Sequence, residues 1–291
     1  NGVSQPDQAY CEKFYNRTMD LINKYQPDLI YFDDTTLPLW PVTDAGLKIA
    51  AHFYNTNLKR KGVGAGVLFG KVLTEDQRKA LVWDIERGVP NSILPFPWQT
   101  DTCIGGWHYS KGDYNRYKSP KTVVHMLADI VSKNGNLLLN IPVRGDGSID
   151  DREEKVLEGI AAWMEVNKES ILATRPWKTF GEGPASAGSE LRAQGFNEGK
   201  GKPFTAEDIR YTASKDGKVL YAIVCGVPSG SVSLKSLGKT AGLLDRPVAK
   251  VEQLGATSPL KWTPGDDALT VTPASAKPAS DAAIVFKITL K

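Results

Sequence analysis

Two adjacent carboxylates, Asp33 and Asp34, close the apolar run Leu29-Ile30-Tyr31-Phe32 in "DLIYFDDTTLPLWP". Further along, "VWDIERG" sets Asp84 and Glu86 among Trp83 and Ile85. A third stretch, "PFPWQTDTCIGGWHYS", gathers Trp98, Trp107, His108 and Tyr109 among glycines. Acids beside flat aromatic faces suit sugar chemistry. An aromatic ring stacks on the C–H face of a sugar, and two carboxylates about 5–5.5 Å apart can cleave a glycosidic bond with retention, one as nucleophile and one as general acid/base. A plainer reading stands beside this one. A buried strand followed by a solvated loop also explains Asp33, and Asp84 reads as a satisfied structural acid or a salt-bridge partner. Cys103 reads as buried and inert, and His125, mid-helix between Val124 and Met126, as a packed residue. His108, in the aromatic loop, stays open between the two.

The elements that must position these residues are legible from periodicity. Tyr10, Phe14, Tyr15, Met19, Leu21, Ile22 and Tyr25 recur at helical spacing, and Pro27 stops that helix. The unbroken run Leu29–Phe32 reads as a strand buried on both faces of a parallel sheet. A helix is expected over about 43–55, a buried strand over 63–71, a capping box at "TEDQ" (74–77) opening a short helix, and an alternating strand over 81–88. In that strand Asp84 and Glu86 share one face, with Trp83 and Ile85 on the other. Ser119 and Pro120 open a further helix that ends before Gly135; a buried strand follows over 136–143, then a helix over 150–167 with acids in its first turn. Alternating strands and helices mark an α/β sheet or barrel, and barrels keep catalytic residues at the C-terminal ends of strands. Four barrel strands are expected in all. Beyond Pro176 the segments shorten and are separated by Gly, Pro, Ser and Asp, with a hairpin turn at Asp216-Gly217, as in an antiparallel sandwich. The expected division is therefore 1–176 and 177–291, and Trp262 in the second part reads as a core or interface residue.

The totals are those of a globular protein: 291 residues, 41% hydrophobic, 24% charged. A net charge of +3 is too small to argue for nucleic acid, and the run Leu58-Lys59-Arg60-Lys61-Gly62 reads as a solvated loop after a helix. No stretch is long and apolar enough for a membrane helix. Cys11, Cys103 and Cys225 are far apart, with no CxxC spacing for a metal or a disulfide. No signal peptide is visible.

Taken together, "YQPDLIYFDD", "VWDIERG", "PWQTDTCIGGWHYS" and "SKNGNLLLNIPVRGDGSI" resemble the α-L-fucosidases of glycoside hydrolase family 29, in that family's order, from about Asp7 to Trp177. The resemblance implies an α/β fold, a (β/α)8-like barrel of which this chain holds the C-terminal portion, followed by an antiparallel β-sandwich. It implies a retaining exo-α-L-fucosidase acting on fucosylated oligosaccharides or glycoconjugates, with no cofactor, no metal, no nucleic acid and no membrane partner. It places the nucleophile on Asp33 and the acid/base on Glu86, with Tyr31, Trp98, Trp107 and Tyr109 as substrate-binding residues; Asp34, next to the nucleophile, is a further substrate-binding candidate. A secreted, periplasmic or lysosome-like setting follows from the same likeness. Two departures stand out. The family's sugar-gripping histidines precede the nucleophile, whereas His52, His108 and His125 all follow Asp33; an upstream segment completing the barrel is therefore expected. Asp34 takes a place often held by Gly, where it orients a substrate hydroxyl, bears on its neighbour's protonation or is simply solvated. Other readings are a non-catalytic sugar-binding protein on a decayed barrel, an inactive fragment, and a transglycosylase using the same two acids.

Overall fold

The computed structural model describes residues 5–33, 38–113, 115–186, 197–275, 278 and 280–291. They fall into two compact units, Asn1–Glu86 with Phe96–Gln99, and Arg87–Pro95 with Thr100–Lys291.

In the first unit, helix α1 (Gln8–Tyr25) starts where the Asp7 carboxylate accepts the Tyr10 amide at 2.7 Å, and it ends at Gln26 in the left-handed region, one residue before Pro27. Strand β1 (Leu29–Phe32) leads to helix α2 (Ala45–Lys61) and strand β2 (Val67–Gly70), which pairs with β1 in parallel, Leu29 opposite Val67 and Phe32 opposite Gly70. Such pairing needs a crossover, and α2 supplies it, burying Ile49 and Phe53 completely. Strand β3 (Val82–Asp84) then pairs in parallel with β2 and with β4 (Trp98–Cys103), setting Trp83 opposite Trp98 and Asp84 opposite Gln99.

Several expectations are corrected here. Strand β1 is not buried on both faces: Leu29 is 52% exposed, because β1 is an edge strand whose partner among the described residues is β2 alone. The strand expected over 63–71 narrows to β2, since Gly62 and Gly64 take positive φ and leave Val63 in solvent. The basic run is the last turn of α2 rather than a loop. Its cations lie at the negative end of the helix dipole, and Arg60 and Lys61 reach Asp28 at 2.9 and 2.5 Å. The "TEDQ" box forms, with Thr74 and Gln77 exchanging side-chain-to-amide bonds, but it opens only the single turn Gln77–Lys79. The strand expected over 81–88 stops at Asp84, so Glu86 lies past its end and shares no strand face with Asp84. Finally, the aromatic stretch 95–110 is not all loop: all six residues of β4 are buried.

The second unit holds helix α3 (Pro120–Ser132), capped by Ser119, then strand β5 (Gly135–Asn140) and helix α4 (Asp151–Asn167). The Asp150 carboxylate caps α4 through the amides of Arg152 and Glu153 at 2.9 Å each. Strand β5 completes a sheet ordered β1-β2-β3-β4-β5, so the described residues hold five strands of barrel type where four were expected. It too is only partly buried, with Leu138 47% exposed.

The rest is antiparallel. Strands β6 (Thr174–Glu182), β7 (Ile209–Ser214), β8 (Val219–Val224), β9 (Val232–Leu234), β10 (Val248–Gln253), β11 (Lys261–Pro264), β12 (Leu269–Thr272) and β13 (Ile284–Leu290) form two sheets, ordered β10-β13-β8-β7-β6 and β11-β12-β9. Their facing sides share one core in which Tyr211 and Phe286 meet Leu234 and Leu269, with Trp262 packed at its margin. The outer side of the five-stranded sheet is covered by Val124 and Ala128 of α3 and Trp163 of α4, which pack on Ile223 and Val285. Coverage on both faces explains why β8 reads as the unbroken apolar run "VLYAIV". The β7–β8 hairpin turns at Asp216-Gly217, with Gly217 at φ 66°.

Candidate active site

Three consecutive parallel strands of the first unit end in ionisable side chains. Asp33 follows β1, Lys71 follows β2, and Glu86 lies two residues beyond β3. Neighbouring strands running the same way bring these C-terminal ends together. The Lys71 ammonium sits between the two acids, its Nζ 2.8 Å from Asp33 Oδ1 and 2.9 Å from Glu86 Oε2. The two oxygens are therefore within about 5.7 Å of each other, the sum of 2.8 and 2.9 Å.

Exposure differs across the trio. The Asp33 side chain is 69% exposed and that of Glu86 25%, while Lys71 is only 9% exposed. The lysine is the fixed member, and its fixing is visible: the buried Trp83 donates its indole N–H to the Lys71 carbonyl at 2.9 Å, and the Arg78 guanidinium stacks 3.5 Å from the Trp83 ring centre. Asp84 has a different environment. It is 1% exposed and accepts a 2.5 Å bond from the Gln99 amide across the β3–β4 pair, so it is a structural acid. Tyr31 is half-buried, its ring 6.0 Å from Phe69. Trp98 is 1% exposed and presents no open face for stacking; it backs Trp83 across the ladder. Asp34 lies outside the described residues.

Trp107 and Tyr109 belong to the second unit. Trp107 is 38% exposed, and its carbonyl accepts a bond from the Asn140 amide at 3.1 Å, which ties this loop to the end of β5. Tyr109 is half-buried, with the Arg144 guanidinium 5.8 Å from its ring centre. His108 is exposed. His125 is packed as expected: its Nε2 lies 2.7 Å from the Ala282 carbonyl, and burial pushes its pKa down. Cys103 is buried with its thiol pKa raised by desolvation. No group of three or more His, Cys, Asp or Glu side chains that could hold a metal ion occurs among the described residues.

Sequence reasoning missed Lys71. The signal was present in "VLFGK", where a charged residue closes a buried apolar run just as Asp33 closes its own. A lysine after a strand reads first as a solvated turn, whereas an acid there invites a chemical question. A second unforeseen cluster lies in the second unit, where Glu198 accepts from Lys118 at 2.8 Å and Arg87 at 3.2 Å. Burial works against its charge, but bonds from Lys118, Thr102 and Arg87 prevail and hold its carboxyl below the usual range.

Two family models match this sequence, alpha-L-fucosidase over residues 1–169 and alpha-L-fucosidase C-terminal domain over residues 202–289. The chain belongs to the α-L-fucosidase family. It is 28% identical over 257 residues to the plasma alpha-L-fucosidase of Rattus norvegicus, an alignment covering 84% of this chain and 48% of that protein. Among solved structures, alpha-L-fucosidase isoenzyme 1 of Paenibacillus thiaminolyticus superposes with a TM-score of 0.70 at 21% identity, over 100% of this chain and 64% of that one. A family 29 alpha-L-fucosidase from Bacteroides thetaiotaomicron superposes with a TM-score of 0.65 at 16% identity, over 97% of this chain and 61% of that one. That structure is described as a trapped covalent intermediate with 2-fluoro-fucosyl fluoride, obtained with a Glu-to-Gln mutant. The chain spans about half the length of the curated relatives it matches. Its parallel strands and antiparallel sandwich are the architecture of these fucosidases. No helix among the described residues is long and apolar enough to cross a membrane.

Proposed function

We propose that the protein carrying this chain is a retaining exo-α-L-fucosidase, with Asp33 as nucleophile and Glu86 as general acid/base. One observation carries the reading: a single ammonium contacts both carboxylates, which limits their nearest oxygens to about 5.7 Å, the sum of 2.8 and 2.9 Å. That limit accords with the roughly 5–5.5 Å of retaining pairs and is shorter than the roughly 6.5–9.5 Å needed to place a water in inverting ones.

The chemistry runs in two displacements. Asp33 Oδ attacks the anomeric carbon of a terminal α-L-fucose while protonated Glu86 gives its proton to the departing glycosidic oxygen. The C–O bond to the aglycone breaks as the bond to Asp33 forms. Glu86, now a carboxylate, takes a proton from water, whose oxygen displaces Asp33 from the anomeric carbon and restores both groups. The covalent intermediate described for the Bacteroides thetaiotaomicron fold neighbour favours the same course. Lys71 holds the two carboxylates in place before the sugar arrives, which limits the reorganisation the reaction needs.

Tyr31, Asp34, Trp107 and Tyr109 are the proposed sugar contacts, with Trp98 supporting them from the core. Residues 1–176 supply the barrel portion and 177–291 the sandwich. Fucosylated glycans are the substrate class, and the plasma and tissue fucosidases among the relatives favour a secreted or lysosome-like setting.

The test is Glu86→Ala in the whole enzyme. Turnover of fucosides with poor leaving groups should fall far more than that of activated aryl fucosides, and azide should restore the latter, giving fucosyl azide of retained configuration. An equal loss across leaving groups with no azide rescue would move the acid/base role elsewhere.

A further inference from the structure

Thr122, His125, Met126, Asp129 and Ile130 of α3 and its C-cap residue Lys133 follow one another at intervals of three and one residues, so they form a single face of the helix. In the second unit that face forms one wall of a cavity of about 500 Å3, within the usual range for small-molecule sites. Val89, Thr100, Asn197, Lys202 and Phe204 also line it. Asp33, Lys71 and Glu86 are not among its lining residues.

Charge on the lining is lopsided. Among the described lining residues are five cations (Lys118, Lys121, Lys133, Lys202 and Arg210) and two carboxylates, Asp129 and Glu198. Both carboxylates are already engaged. Asp129 accepts from Arg210 Nε at 2.6 Å and from Lys133 at 2.8 Å, and Glu198 accepts from Lys118 and Arg87. Lys121 and Lys202 are exposed and enter none of the ion pairs among the described residues.

Arg210 is the deepest of the five and only 1% exposed. Its guanidinium lies 4.6 Å from the Phe204 ring centre and 5.5 Å from that of Phe180. Nε is bound to Asp129, and Nη1 donates to the Ser186 hydroxyl and the Ile209 carbonyl at 3.0 Å each. Nη2 makes none of these bonds, which leaves a buried guanidinium edge with donor capacity at the cavity. A buried donor gains most from a charged oxygen acceptor. Met126, Ile130 and Phe204 add apolar wall beside it, and the volume exceeds what a bare anion fills.

We propose that this cavity is a second ligand site, which takes a monosaccharide-sized sugar bearing a carboxylate or a sulfate ester. The anionic group meets Arg210 with Lys121 and Lys202 at the rim, and the C–H face of the ring lies on Phe204 and Met126. This reading is independent of the fucosidase assignment, because its readout is binding rather than turnover.

The whole protein is titrated by calorimetry with D-glucuronate, galactose 6-sulfate, neutral D-glucose and inorganic sulfate at low ionic strength. At least one charged sugar should bind saturably and about tenfold or more tighter than glucose, the size of one charge-assisted hydrogen bond, and it should weaken as salt is added. Glucuronate and the sulfated sugar separate the two sources of negative charge. Arg210→Gln should abolish this preference but breaks a buried network, so the deciding variant is Lys121→Glu with Lys202→Glu, both on exposed positions. It should lose about tenfold in affinity for the charged sugar with its melting temperature unchanged. Charged sugars that bind no better than glucose would overturn the proposal. So would inorganic sulfate binding as tightly as the sulfated sugar, or affinity that survives the double substitution.

Discussion

Two clusters of carboxylates and cations in this molecule are built on opposite ratios. Among the described residues of the first unit one cation, Lys71, contacts two acids, Asp33 and Glu86, and both acids keep some exposure. In the second unit one acid, Asp129, serves two cations, Lys133 and Arg210, and all three side chains are less than a tenth exposed. Burial opposes the charge on Asp129, but the two cations prevail and keep its carboxyl pKa below the usual range. The contrast separates acids that can react from acids that hold structure. A carboxylate held between two buried cations is committed to neutralising them, and losing its charge would leave both unpaired. The Asp33 and Glu86 carboxylates lie beyond the ends of their strands and keep part of each side chain open to solvent.

The comparison can be broken by substitution. The largest effect is expected at the open cluster: Asp33→Ala in the whole enzyme should lose turnover by about 10³-fold or more, because no covalent intermediate can form. Steady-state hydrolysis of an aryl α-L-fucoside measures this, and near-normal turnover would show that Asp33 is a bystander. At the closed cluster Asp129→Ala should cost about 3–5 kcal/mol of stability, since it leaves two buried cations without their carboxylate. Urea unfolding reads that loss directly; a cost near zero would mean that water reaches the site. The middle case sharpens the contrast. Lys71→Met should lower kcat by up to about 10²-fold through misplaced carboxylates, with a much smaller loss in urea stability than Asp129→Ala. If Lys71→Met instead destabilises the protein as strongly as Asp129→Ala, the two clusters do the same work.

What the sequence disclosed follows from which signals are local. Helices α1, α3 and α4 were legible because their signals are local: apolar spacing from Tyr10 to Tyr25 with Pro27 beyond it, Ser119-Pro120 before α3, and acids in the first turn of α4. Strand β1 and the carboxylate after it were legible because four apolar residues end abruptly in charge. Strand β4 was hidden because Gln99, Thr100, Asp101 and Thr102 are polar, and only cross-strand partners such as Asp84 make their burial tolerable. The exposure of Leu29 and Leu138 was also out of reach, because burial depends on neighbouring strands and an apolar run does not announce whether it has them. Within the candidate site Asp33 and Glu86 were singled out from sequence, and Lys71, which contacts both, was not. Its role depends on the order of three strands in the sheet, which no single segment encodes.

The account rests on Asp33 and Glu86 being close enough for a covalent route, and the stereochemistry of the product tests that distance. Hydrolysis of an aryl α-L-fucoside by the whole enzyme can be followed by proton NMR within the first turnovers, before mutarotation mixes the anomers. Retention predicts that α-L-fucose appears first and the β anomer grows in later. If β-L-fucose appears first, water has attacked directly, and the paired roles given to Asp33 and Glu86 are wrong.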